Sequence, residues 1–61
     1  MEVILINKIT GAKLIEDHVK GFKKSKVNTN GRKQWCYLCY LEYWTKTYPC
    51  SQYDIYTITV R

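Results

Sequence analysis

The sequence predicts an all-β fold, with one small antiparallel sheet of four to five strands. Its apolar runs have the length of strands and are rich in β-branched and aromatic residues. Turn residues separate these runs at short intervals, and no window has convincing helical periodicity. With 61 residues, the chain is expected to form a single domain over residues 1–61.

The first part of the chain is predicted to contain two short strands. Residues 3–8 begin with four apolar residues, and Thr10 and Gly11 then give a turn signal. Residues 13–15 read as a second strand, and residues 16–18 have the composition of a turn or a sheet edge. Residues 19–24 could form a third strand, in which Gly21 suggests a bulge.

The middle of the chain carries the strongest short hairpin signal. Asn30 followed by Gly31 is typical of a two-residue turn between antiparallel strands. This turn would join the third strand to residues 31–44, which hold five of the nine aromatic residues. Alternation places Trp35, Tyr37 and Cys39 on one face and Cys36, Leu38 and Tyr40 on the other. Both faces are apolar, so we expect a central strand that is covered on both sides.

The last strand is predicted over residues 53–60, after a break at Pro49. Period-2 alternation would turn Tyr56, Ile58 and Val60 towards the core. The residues assigned to the core first are Trp35, Leu38, Tyr40, Tyr56 and Ile58.

Charge points to an anionic partner. The net charge is +5, and seven of the ten basic residues lie within residues 13–33. A basic segment that leads into an aromatic strand suits nucleic acid. The alternative is that these lysines only keep a small sheet soluble. The candidate nucleic-acid-binding residues are Lys20, Lys23, Lys24, Lys26, Arg32 and Lys33.

The cysteines allow a metal site. Three is an odd number, which excludes a closed set of internal disulfides and favours an intracellular protein. Cys36 and Cys39 have the spacing of half a zinc site, although on a strand their side chains would point to opposite faces. The alternatives are small buried hydrophobic residues or a redox thiol pair. The candidate zinc ligands are Cys36, Cys39, Cys50 and His18.

The first half of the chain resembles a FLYWCH-type zinc finger. The residues that carry the resemblance, in order, are Asn7, Lys8, Lys13, Leu14, Ile15, Asp17, Phe22, Lys24, Lys26, Asn30, Gly31, Arg32, Trp35 and Cys36. The resemblance implies a small WRKY-like antiparallel sheet, a clamp of one zinc ion, and binding to DNA and to proteins. The second half departs from the family, because Cys36 follows Trp35 directly and the C-terminal pair of histidines is missing.

These features together predict a FLYWCH-like domain that binds DNA through a basic hairpin, in an intracellular, nuclear protein. The alternative is a metal-free β module that pairs with a protein partner or with itself. We expect no enzymatic activity, because the only histidine, His18, lies on a turn and no nucleophile has a recognisable base partner. We also expect no membrane segment and no small-molecule substrate.

Overall fold

The computed structural model describes residues 1–60 and contains six β-strands. They are β1 (Glu2–Asn7), β2 (Lys13–Glu16), β3 (Gly21–Thr29), β4 (Arg32–Tyr40), β5 (Thr45–Pro49) and β6 (Tyr53–Thr59). Residues 1–60 contain no helix, so the all-β class is confirmed. Arg61, which the predicted domain of residues 1–61 includes, lies outside the described residues.

The six strands form two sheets rather than one. The first sheet has the order β2-β1-β6 and the second sheet has the order β3-β4-β5, with antiparallel pairing throughout. The prediction of one sheet with four to five strands is therefore wrong both in the number of sheets and in the number of strands. A single layer of this size leaves both of its faces in water, whereas two sheets can bury one face of each against the other.

The core lies between the inward faces of the two sheets. Its buried members are Val3 and Leu5 of β1, Val19 of the segment before β3, and Tyr37 and Cys39 of β4. Partly buried residues pack around them; these are Met1, Leu14, Phe22, Leu41, Tyr48, Cys50 and Tyr53. The rings of Phe22 and Tyr37 are stacked at 5.7 Å between their centroids. Aliphatic residues of β1 thus meet aromatic residues of the second sheet.

The predicted core is largely wrong. Trp35 is 50% exposed, and Tyr56, Ile58 and Val60 are also exposed. Leu38 and Tyr40 are half-buried on the outward face of the second sheet, where Cys36 is the only residue of β4 that is fully buried. Such small sheets do not extend far enough to cover every apolar position of their neighbours.

A bulge in β6 explains why Tyr56 does not face the core. Ile58 pairs with Val3 and Thr57 with Ile4, but Ile55 pairs with Leu5, which leaves Tyr56 as an extra residue. An extra residue changes the phase of the alternation, so Tyr56 and Ile58 no longer share a face. The ring of Tyr56 lies instead on the outward face, with the ammonium group of Lys13 at 4.1 Å from its centroid.

The Asn30 and Gly31 turn has the predicted geometry. Both residues have positive φ angles, 53° and 79°, and the flanking residues Thr29 and Arg32 are directly paired. Two central residues with positive φ define the turn type whose twist matches antiparallel strands. The hairpin prediction is therefore confirmed. β4 ends at Tyr40, earlier than predicted, because the amide of Leu41 turns back to donate to the carbonyl of Trp44 at 2.8 Å.

A polar cluster joins the two sheets. Glu16 of β2 is buried, and its Oε1 accepts hydrogen bonds from the hydroxyl of Tyr48 and, at 3.1 Å, from Nζ of Lys46. Both donors lie on β5, in the other sheet. A buried carboxylate is tolerated when it is paired and hydrogen-bonded in this way.

This cluster is expected to make the protein less stable at alkaline pH. Burial, together with the hydrogen bond to Glu16, raises the pKa of Tyr48 above its ordinary value of 10.0. The folded state therefore holds this proton more tightly than the unfolded state. The contribution of Tyr48 is fully present below about pH 10 and is lost as pH rises above it. We expect the free energy of unfolding to fall above about pH 10, and to fall less steeply in Tyr48→Phe.

Urea unfolding at constant ionic strength measures this effect. Tyr43→Phe is the matched control, because Tyr43 is exposed and is expected to leave the pH profile unchanged. Identical profiles for the parent and Tyr48→Phe would show that Tyr48 does not carry the alkaline loss.

Candidate nucleic-acid interface

The hairpin of β3 and β4 extends beyond the core. Along the inward face of β4, Cys39 is fully buried, Tyr37 is 8% exposed, Trp35 is 50% exposed and Lys33 is exposed. Burial thus decreases steadily towards the turn at Asn30 and Gly31. In the half of the hairpin next to the turn, this face is exposed to solvent. In the other half, at Tyr37 and Cys39, the same face is part of the core.

The strand register places three lysines and one tryptophan on that exposed face. Lys26 is directly opposite Trp35, and Lys24 is directly opposite Tyr37. Directly paired residues of antiparallel strands share a face, and Lys33 shares it by alternation with Trp35. We call Lys24, Lys26, Lys33 and Trp35 the hairpin face.

The lysines of the hairpin face lie close to the indole ring. Nζ of Lys24 is 5.6 Å from the centroid of the Trp35 ring, and Nζ of Lys26 is 5.4 Å from it. The ion pairs within residues 1–60 are those of Lys8 with Asp54 and Lys46 with Glu16. The ammonium groups of Lys24 and Lys26 thus lie over an aromatic ring, and no lysine of the hairpin face has a carboxylate partner in the described part of the chain. Their charge is available to an anionic ligand.

The other predicted nucleic-acid-binding residues lie elsewhere. Lys23 is opposite Leu38, and Arg32 is opposite Thr29, which places both on the outward face of the second sheet. Lys20 lies before β3, where its amide donates to the carbonyl of Tyr40 at the far end of the hairpin. The structure therefore brings three of the six predicted residues together and separates them from the other three.

The four candidate zinc ligands do not converge. Cys36 is opposite Ser25 and Pro49, whereas Cys39 is opposite Phe22 and Lys46, so their side chains point to opposite faces of β4. His18 lies in the exposed turn between β2 and β3. Within residues 1–60, no group of three or more histidine, cysteine, aspartate or glutamate side chains could hold a metal ion. The residues described do not fit the zinc site that the resemblance implies.

The two cysteines of β4 behave as small buried hydrophobic residues. Both side chains are fully buried, and their thiols are free in the described chain. Burial raises the pKa of the Cys36 thiol, and the nearby Cys50 raises it further. Burial also raises the pKa of Cys39, with a further rise from Glu16 that Lys46 partly offsets. Since the thiolate is the metal ligand and the nucleophile, these environments disfavour both roles.

A second surface lies at the opposite end of β4. A cleft of about 270 Å³ lies between the turn that holds His18 and Lys20 and the turn that holds Tyr43 and Trp44. Both aromatic side chains are exposed, with Trp44 at 64%. The sequence prediction treated residues 43 and 44 as part of the central strand, whereas the structure places them in the turn between β4 and β5.

Trp35 is the residue of the interface that the sequence prediction missed. A signal for it was present in the turn. A two-residue Asn-Gly loop pairs residue 29 with residue 32, and counting back along both strands pairs Lys26 with Trp35. A tryptophan opposite one lysine and two positions from another is a poor candidate for the core. The hairpin register thus indicated a surface position that the apolar composition of β4 obscured.

Comparisons with known proteins add no relative. No protein-family model, curated protein or solved structure matches this chain. The described residues form no helix that is long and apolar enough to cross a membrane.

Proposed function

We propose that this protein is a small β module that binds DNA through the hairpin face. The observation that carries the proposal is that Lys24, Lys26 and Lys33 share one exposed face with the half-exposed Trp35, and that Lys24 and Lys26 lie over its ring. Lysines that contact phosphates give affinity with little sequence information. A nuclear location is part of the same proposal, and zinc has no role in it because the candidate ligands do not converge.

Electrostatics supports this function beyond the local geometry. The net charge of +5 attracts a polyanion from a distance, and the hairpin face concentrates three of the positive charges on one exposed surface. Three phosphate contacts would release about three counterions from duplex DNA. Affinity should then depend strongly on salt and weakly on sequence.

Fluorescence anisotropy of a labelled DNA duplex tests the proposal. We expect the logarithm of the affinity to fall linearly with the logarithm of the salt concentration. The slope should be about −0.9 for each phosphate contacted. The absence of binding to both duplex and single-stranded DNA, even at low salt, would contradict the proposal.

A second candidate function is association with a protein partner or with another copy of the chain. The outward face of the first sheet carries Ile4, Ile6, Ile15 and Tyr56, and Ile15 is 59% exposed. β6 is also an edge strand with a row of unpaired backbone groups. Sedimentation at increasing protein concentration tests this function: an Ile15→Lys variant should lose an association that the parent shows, and a parent that stays monomeric would exclude self-association.

A further inference from the structure

We infer that Trp35 is a platform for a stacked base and that the hairpin face prefers unpaired strands to duplex DNA; this inference rests on the proposed function. The core does not explain the position of Trp35. Its neighbours on β4, Cys36 and Tyr37, are buried, but half of the Trp35 surface remains in water. Large exposed aromatic residues beside charged groups are more typical of binding surfaces than of packing.

The surroundings of the ring match one nucleotide of a single strand. The indole offers a flat π surface on which any base can stack, and Lys24 and Lys26 lie at 5.6 and 5.4 Å from its centroid. Both ammonium groups lie over the ring, so a stacking base takes their place there and leaves these flexible groups within reach of its phosphates. Proteins that bind single strands without sequence preference combine the same two elements, an aromatic platform and a basic track.

The same chemistry discriminates against a duplex. Bases in a duplex are already stacked on one another, so they cannot cover the indole without being extruded. A duplex therefore gains only the lysine–phosphate contacts, whereas an unpaired strand gains these contacts and the stacked base. Removal of a stacking aromatic residue lowers single-strand affinity by roughly 5- to 150-fold. We expect this loss for unpaired DNA and little loss for duplex DNA.

Tryptophan fluorescence reports directly whether a base stacks on the indole ring. The chain has two tryptophans, so the variant Trp44→Phe leaves Trp35 as the only indole, and Trp35→Phe leaves Trp44. We expect a thymidine oligonucleotide to quench the emission of Trp44→Phe in a saturable way, and to leave the emission of Trp35→Phe unchanged. The Trp44 indole serves as the matched control because it is exposed at the opposite end of β4.

Affinity measurements complete the test. Trp35→Leu keeps an apolar strand residue but removes the ring; Trp44→Leu makes the same change at the control position. We expect only Trp35→Leu to lower affinity for the oligonucleotide, with duplex affinity nearly unchanged. If Trp35→Leu does not fold, the quenching of Trp44→Phe decides.

Each outcome of these experiments is informative. DNA binding without quenching of Trp35, or equal losses for single-stranded and duplex DNA, would overturn the stacking role and leave the proposed function in place. Failure of the folded parent to bind either form would overturn the proposed function itself.

Discussion

Replacing Leu5 with alanine is expected to remove most of the protein's free energy of unfolding. Leu5 is fully buried at the centre of β1, where it contributes to the core that both sheets share. Truncation of a buried leucine costs about 2–5 kcal/mol through lost burial and the cavity that remains. Domains have about 0.05–0.15 kcal/mol of stability per residue, so a chain of 61 residues has little more than this to lose.

Urea unfolding followed by circular dichroism measures the effect. Ile15→Ala is the matched control, since Ile15 is an apolar residue of the same sheet that is 59% exposed on the outward face. We expect a change of about 0.5 kcal/mol or less at this exposed position. Equal losses of stability in both variants would show that the core does not lie between the sheets.

Replacing the three lysines of the hairpin face with alanine is expected to abolish most DNA binding. Lys24, Lys26 and Lys33 account for the phosphate contacts in the proposal. Their loss should flatten the plot of log affinity against log salt by roughly 2 to 3 units, at about 0.9 for each contact. Stability should change little, because exposed charges contribute little to folding, even where they lie over an exposed aromatic ring.

The chain provides a control with the same change in net charge. Lys20, Lys23 and Arg32 were predicted from the sequence as binding residues, but they lie on the outward face or at the far end of the hairpin. Their replacement with alanine also removes three positive charges. It should cost much less affinity and leave most of the salt slope in place. Equal effects of the two triple variants would mean that only net charge matters, and that the hairpin face is not a site.

Local sequence signals were sufficient for the hairpin and for every strand except β5, which was not predicted. Asn30 and Gly31 specified the turn because few other residues adopt two consecutive positive φ angles. The apolar, β-branched residues of β1 and the Thr10 and Gly11 turn likewise gave the first hairpin, which Gly11 closes with a φ angle of 75°. These features depend on neighbours in sequence, which is why they could be predicted.

The division into two sheets depends on information that is not local. β5 has few apolar residues, and its role becomes visible only when Tyr48 reaches Glu16 in the other sheet. The bulge at Tyr56 reverses the faces of β6, which a strict period-2 pattern cannot anticipate. The exposure of Trp35 depends on where the first sheet ends. The same limits apply to the candidate site, because charge indicated the segment but could not show that only three of the six basic residues share the hairpin face.

Backbone amide chemical shifts during a DNA titration test the central claim most directly. Isotope-labelled protein is titrated first with duplex DNA and then with single-stranded DNA. The residues whose signals shift locate the contact surface, whichever form of DNA binds more tightly. The account predicts that the largest shifts occur at Lys24, Lys26, Lys33 and Trp35, including the indole N–H of Trp35. Largest shifts at the cleft beside Trp44, or on the outward face that carries Ile15, would contradict it.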